Sequence, residues 1–284
     1  MATSSASTAS TSAAANPANP LVMRIIGFCA LAHLINDLIQ SVLPAIYPML
    51  KANYDLSFAQ IGMITLTFQI TASLLQPWVG FFTDRRPTPN LLPLGTLCTL
   101  VGIVMLAFVG SFPMILLASA LVGIGSSTFH PETSRIARLA SGGRFGLAQS
   151  TFQVGGNTGS ALGPLLAAAI VIPFGQTHVA WFGLAGLFFL GVTLMLRGWY
   201  KEHLNQAKAR KTVQATHGIS RNRVIAALIV LGLLVFSKYF YMASFTSYFT
   251  FYLIEKFDLS VASSQLHLFL FLGAVAAGTF FGGP

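Results

Sequence analysis

"YDLSFAQIGMITLTFQITASLLQPWVGFFTDRR", residues 54–86, begins on an acidic turn, crosses a long apolar tract and ends on an Asp and two Arg. From Phe58 to Thr83 the tract holds no Asp, Glu, Lys or Arg. A helix that crosses a bilayer needs about 20 mostly apolar residues, so the tract predicts one complete crossing. Working outward, seven more tracts of this kind appear, roughly Arg24–Leu50, Leu91–Val109, Pro113–Ser134, Phe145–Phe174, His178–Arg197, Arg223–Ile254 and Leu259–Gly283. Short connectors join most of them, as between antiparallel neighbours.

Composition agrees. The 284 residues are 54% hydrophobic and 8% charged, with mean hydropathy +0.72. A soluble domain carries roughly a quarter charged residues, so this chain cannot cover a water-facing surface. The predicted class is an all-α polytopic membrane protein embedded in a lipid bilayer. A net charge of +9 invites a nucleic-acid reading. The basic residues are dispersed between apolar tracts rather than gathered on a face, which excludes it. Cys29 and Cys98 both fall inside apolar tracts and read as small buried hydrophobes.

Lys and Arg set the expected orientation, because cytoplasmic loops are enriched in both. With the N-terminus inside, Arg24, the Arg85–Arg86 pair, Arg135, Arg138 and Arg144, and seven residues from Arg197 to Arg223 are cytoplasmic, thirteen of sixteen. Lys51 and Lys256 fall outside, and Lys238 lies within a tract.

The opening turn recurs. "YDLS" at 54–57 and "FDLS" at 257–260 lie 203 positions apart, each just before an apolar tract. A parallel repeat of six-helix halves is a transporter architecture. The expected organisation is a disordered tail over residues 1–22, a six-helix bundle over 23–197, a basic cytoplasmic linker over 198–222 and a partial second bundle of two helices over 223–284. By that architecture about four further helices are expected.

Three tracts carry polar chemistry. "HLINDLIQ" puts His33, Asn36, Asp37 and Gln40 at i, i+3, i+4 and i+7, on one helical face. Asp37 lies roughly 20 Å along the helix from Arg24, near the bilayer midplane, where an ionised carboxylate costs about 2.5–3.5 kcal/mol on insertion scales. It is therefore expected to be paired or protonated and is the candidate for proton coupling, with His33. A structural ion pair is the other reading. Lys238 maps by the repeat to position 35 and is the expected partner, with Tyr241 and its aromatic neighbours as cavity wall or core. Gln149, Gln153 and Asn157 recur every four residues and form a stripe toward a substrate cavity or interhelical hydrogen bonds. Gln69 and Gln76 are expected to join helices rather than touch a ligand.

"FHPETSRIAR", residues 129–138, places His130, Glu132, Arg135 and Arg138 at the cytoplasmic end of the fourth tract. Glu132 lies about 29 Å from Pro113, so these charges need not be buried. Glu132 and Arg135 can pair three residues apart, and Pro131 frees the carbonyl of Ser127. The cluster, with Asp84 and Arg85, reads as a cytoplasmic gate or as an orientation-setting helix end. No nucleophile–base pair, His-Glu-x-x-His or Gly-x-Ser-x-Gly motif occurs, so neither an enzyme, a cofactor nor a metal is expected.

"GFFTDRR" resembles the signature loop of the major facilitator superfamily, with Gly80 for close helix approach and Asp84 beside basic residues; a charged turn is the plain alternative. "GSALGP", with Gly159, Gly163 and Pro164, resembles the core motif of that superfamily's proton-coupled exporters, though small-residue packing explains it as well. The blocks "HLINDLIQSVLPAIYPMLK", "FHPETSRIAR" and "GRFGLAQSTFQVGGNTGSALGP" together resemble its fosmidomycin-resistance branch. The resemblance implies twelve helices in two halves, alternating access, and export of a small phosphonate antibiotic against inward proton flow. The expected partners are a small-molecule substrate and protons, in a monomer of the inner membrane. Uptake of a sugar or organic anion, and a scaffold without transport, are the alternatives.

Overall fold

A computed structural model describes residues 21–208 and 220–282. Those residues are helical throughout, without strands. Eight passes run in chain order. The first is α1 (Met23–Ala45) with the short α2 (Tyr47–Asn53), and the second is α3 (Phe58–Gln69), a π-helical turn at Ile70–Leu74 and α4 (Leu75–Arg85). There follow α5 (Leu91–Ala107) and α6 (Phe112–Ala140). The fifth pass is α7 (Phe145–Leu166), a π-helical turn at Ala167–Val171 and α8 (Ile172–Phe174). A 3-10 turn at Gln176–Trp181 leads into α9 (Phe182–Lys208), and α10 (Arg221–Phe257) and α11 (Val261–Gly282) complete the described chain. Seven passes are long and apolar enough to span a membrane, and α5, at 17 residues, is the shorter eighth.

Every expected tract is a helix, but two run further than expected. α6 continues to Ala140, which puts all of "FHPETSRIAR" inside the helix. α9 continues to Lys208, so the first residues assigned to the linker are helical. Residues 209–219 of that linker and the tail over residues 1–20 lie outside the described residues.

Close packing rests on glycine. A Cβ on Gly159 would lie 2.0 Å from the Leu34 carbonyl oxygen, and one on Gly155 2.1 Å from that of Ala30. At Gly163 it would lie 1.9 Å from Ser41 Oγ. These three sit on one face of α7 and let its backbone touch α1, as small residues do in membrane bundles. Pro164, next on that helix, leaves the Ser160 carbonyl without its helical donor, and the π-helical turn begins three residues later. Gly80 differs from expectation: a Cβ there would meet Pro131 at an ordinary 3.9 Å, so close approach does not require it. α11 covers another side of α7, while α10 is exposed along residues 221–240.

The repeat is written into the backbone. Asp55 and Asp258, 203 residues apart, are the two non-glycine residues with positive φ among those described, at 48° and 54°. Asp tolerates this left-handed conformation better than most side chains. Two residues after each, a serine caps the next helix: Gln60 N–H donates to Ser57 Oγ at 3.2 Å, and Ser263 N–H to Ser260 Oγ at 3.2 Å. Similar φ values and a serine cap at the same offset make these turns two copies of one device, although only Ser57 completes a capping box, with Gln60.

Candidate functional site

Between the first pass and α10–α11 lies a cavity of about 1010 Å³. It runs from Tyr47, Thr65 and Ser247 to Gln76, Ser134 and Gln149, and Asp37 forms part of its wall. α1 presents His33, Asp37, Gln40 and Ser41 to it, as the helical spacing predicted. Asn36 departs from that prediction. One residue round the helix from Asp37, it is fully buried behind the cavity, and its amide donates to Asp37 Oδ1 at 3.0 Å.

The partners of Asp37 are imidazoles. His33 Nε2 lies 3.4 Å from Oδ2, and His130 Nε2, arriving from α6, lies 3.5 Å from Oδ1. Gln40 Nε2 donates to Oδ1 at 3.4 Å, and Ser160 Oγ donates to Oδ2 at 3.5 Å. Both rings are held from behind. His33 Nδ1 is 2.8 Å from the Phe152 carbonyl and its ring stacks on Phe152 at 4.0 Å, while His130 Nδ1 is 3.0 Å from the Ser126 carbonyl. Ser126 Oγ also lies 3.2 Å from His130 Nδ1 but gives its own hydrogen to Gln40 Oε1 at 3.2 Å. A carbonyl only accepts, so with each Nδ1 donating to its carbonyl each Nε2 presents a lone pair whenever its ring is neutral. Two lone pairs and a carboxylate then converge, an arrangement that favours a positive species among them. Among the described residues, His33, Asp37 and His130 are the one group of three or more His, Cys, Asp or Glu side chains with ligating atoms all within 4.8 Å of one another.

Two expectations about this site are corrected. Lys238 lines the same cavity but forms no ion pair with Asp37; its ammonium sits over the Tyr239 ring at 5.5 Å. His130 belongs to the Asp37 group and not to the Glu132 cluster. Residues 130 and 132 point about 200° apart around a helix, so adjacency in sequence sends them to different neighbours. Tyr241 departs from expectation as well. Lys238, Tyr239 and Met242 face the cavity, whereas Tyr241 turns into a shallow groove with Phe245, Tyr248 and Tyr252.

The polar stripe on α7 does reach the cavity. Gln153 Nε2 donates to Asn157 Oδ1 at 3.2 Å, and Asn157 Nδ2 donates to Thr279 Oγ1 of α11 at 2.7 Å. Asn157 therefore serves both readings, cavity lining and interhelical bond. Gln69 and Gln76 line the cavity too, against the expectation that they only join helices. Ser126 and Ser134 also line the cavity, and with His130 they repeat along α6 the four-residue spacing that marks α7. Phe152 carried no signal, because its contribution is a backbone carbonyl.

The second polar cluster centres on Arg135. Its Nη1 donates to Glu132 Oε1 at 2.7 Å and to Tyr200 OH at 3.3 Å; its Nη2 donates to Thr83 Oγ1 at 3.2 Å and to Asp84. One guanidinium thus joins α4, α6 and α9. At its expected depth Glu132 had no need to be buried, yet it is fully buried, and its Oε2 has no hydrogen-bond partner. Arg85 and Arg138 are not in the cluster: they lie over Phe81 at 3.8 Å and Phe145 at 4.7 Å.

The family model of the Major Facilitator Superfamily matches residues 29–284. The chain belongs to that superfamily. It is 57% identical over 262 residues to the fosmidomycin resistance protein of Escherichia coli K12, and 39% identical over 268 residues to the uncharacterized MFS-type transporter YfnC of Bacillus subtilis 168. These alignments cover 92% and 93% of this chain, and the chain spans 64% of the length of each relative. Among solved structures it resembles a bacterial homologue of the human lysosomal transporter Spinster in an inward-facing, occupied conformation. There the TM-score is 0.70 at 18% identity, over 93% of this chain and 61% of that one. A peptide transporter, POT, in complex with sulfate matches at TM-score 0.54 and 15% identity, over 91% and 52%. This member of the superfamily thus shares its helical architecture with proteins of very different sequence.

Proposed function

We propose that the protein is a proton-coupled secondary transporter that exports a small anionic compound of the phosphonate-antibiotic class by alternating access. The observation that carries this reading is Asp37 at the cavity wall, faced by two imidazole nitrogens whose far sides are pinned to carbonyls. A carboxylate and two bases converging on one point can hold and release protons while a solute occupies the cavity beside them. The 57% identity to a fosmidomycin resistance protein supports the substrate class. In this reading Gln40, Gln153, Asn157 and Lys238 contact the solute. The Arg135 cluster is a cytoplasmic gate that opens and re-forms. The N-terminus is cytoplasmic, the carrier is a monomer of the inner membrane, and residues 23–197 move against the second bundle that begins at 223.

The test is proton flux in inside-out vesicles. With an acidic interior imposed, fosmidomycin added outside should draw protons out of wild-type vesicles, and Asp37→Asn should abolish that response at equal expression. Full proton-driven transport by Asp37→Asn refutes the coupling role. One observation favours a second reading, proton-linked uptake of an organic anion. The cavity wall offers Lys238 and two protonatable rings, and electrostatics favours anion and proton binding together. Under that reading substrate and protons cross in the same direction, so the sign of the pH change separates the two.

A further inference from the structure

The separations around Asp37 are long for the hydrogen bonds they resemble. Charge-assisted N–H···O contacts to a carboxylate close to about 2.7–2.9 Å, yet His33 and His130 stop at 3.4 and 3.5 Å. Those values match another geometry. Donors bound to one tetrahedral zinc ion at about 2.0–2.1 Å sit about 3.3 Å from one another, close to each of these two separations, while the two Nε2 atoms, which face different oxygens of the carboxylate, lie within 4.8 Å of each other. Two imidazoles and one carboxylate form a ligand set that first-row divalent ions accept. The outer contacts have the required form as well. A metal-bound histidine donates its remaining N–H to a carbonyl or carboxylate, which fixes the ring. Both rings here have Nδ1 on a backbone carbonyl, Phe152 for His33 and Ser126 for His130, leaving both Nε2 atoms free to ligate. Gln40 and Ser160 add polar atoms within 3.5 Å of the carboxylate.

The geometry points to His33, Asp37 and His130 as a binding site for a divalent transition-metal ion, which was not expected from the sequence. Ligands from α1 and α6 close on the ion, and its remaining positions face the cavity, where water or an oxyanion completes them. Metal and proton meet at the same three side chains, but the metal site does not depend on transport. Binding is read directly, so a carrier without proton coupling would still hold the ion, and a proton-coupled carrier without the site would not.

The experiment uses the full chain without an affinity tag, purified in detergent and stripped with a chelator. Calorimetric titration with Zn²⁺ should give one saturable site per chain. His130→Ala should weaken it by about 100-fold or more, since loss of an outer-shell partner alone costs 10–100-fold. Asp37→Asn should weaken it comparably. X-ray absorption at the zinc edge should show two imidazoles in the first coordination sphere. If His130→Ala elutes as aggregate, His130→Gln replaces it. Absence of saturable binding, binding equally tight in the His130 and Asp37 variants, or a zinc spectrum without imidazole would each overturn the proposal.

Discussion

Gly159 and Gly80 both stand in motifs of small residues, yet their surroundings differ. A methyl group on Gly159 would overlap the Leu34 carbonyl oxygen, whereas one on Gly80 would reach Pro131 at normal contact distance. Overpacking of this kind typically costs about 1–3 kcal/mol and can cost more. Gly159→Ala should therefore lower the thermal unfolding midpoint by several degrees, while Gly80→Ala should leave it within about a degree. Unfolding in detergent, followed by a thiol-reactive dye reporting on buried Cys29, reads both. Equal midpoints for the two variants would contradict the packing argument. Sequence alone could not rank these glycines, because both occupy recognisable motifs and only interhelical distance separates them. The same limit explains His130. Its role depends on how α6 is turned toward α1, which brings His130 Nε2 to 3.5 Å from Asp37 Oδ1, and spacing along α6 alone does not show that turn.

At the scale of a helix, α6 carries two polar groups with separate partners. Ser126, His130 and Ser134 face the cavity, while Glu132 and Arg135 face α4 and α9. Between them stands Pro131, which leaves the Ser127 carbonyl without its helical donor. Arg135 is the sole charged partner of buried Glu132 among the described residues. Removing one member of a buried pair costs about 3–5 kcal/mol, because the other charge is stranded. Arg135→Ala should therefore destabilise the chain strongly, and the double variant Arg135→Ala with Glu132→Ala should recover much of that loss. A double variant no better than Arg135→Ala alone would show that the Thr83, Asp84 and Tyr200 contacts matter more than the stranded carboxylate. The pairing of Glu132 with Arg135 was legible from their spacing. Burial of Glu132 was not, because it depends on how α4 and α9 pack against α6 around Arg135, which spacing along one helix does not show.

Across the whole molecule, polar contacts among the described residues join the two halves at a few points, one of them the Asn157–Thr279 bond. Gln265 of α11 donates to the Ala45 carbonyl, and Thr65 Oγ1 lies 3.4 Å from Ser247 Oγ. α1 stops at Ala45, between Pro44 and Pro48, and this break exposes the carbonyl that Gln265 reaches. Gln265→Leu keeps the bulk and deletes the bond. Spin labels placed near Ala45 and Gln265 should then report a broader distance distribution, shifted to longer values; an unchanged distribution would show the contact to be passive. Eight passes and a repeat were readable because apolar length and a recurring turn are one-dimensional signals. The cavity's composition was readable in part, since stripes at four-residue spacing mark faces without naming what they face.

The paired left-handed aspartates give this molecule an internal control. Any lesion introduced at Asp55 can be copied 203 residues later at Asp258, into a similar backbone angle and ahead of a serine cap at the same offset. A loss common to both copies measures the turn as such. A loss at one copy alone measures what that half of the protein does differently, with its twin as the reference.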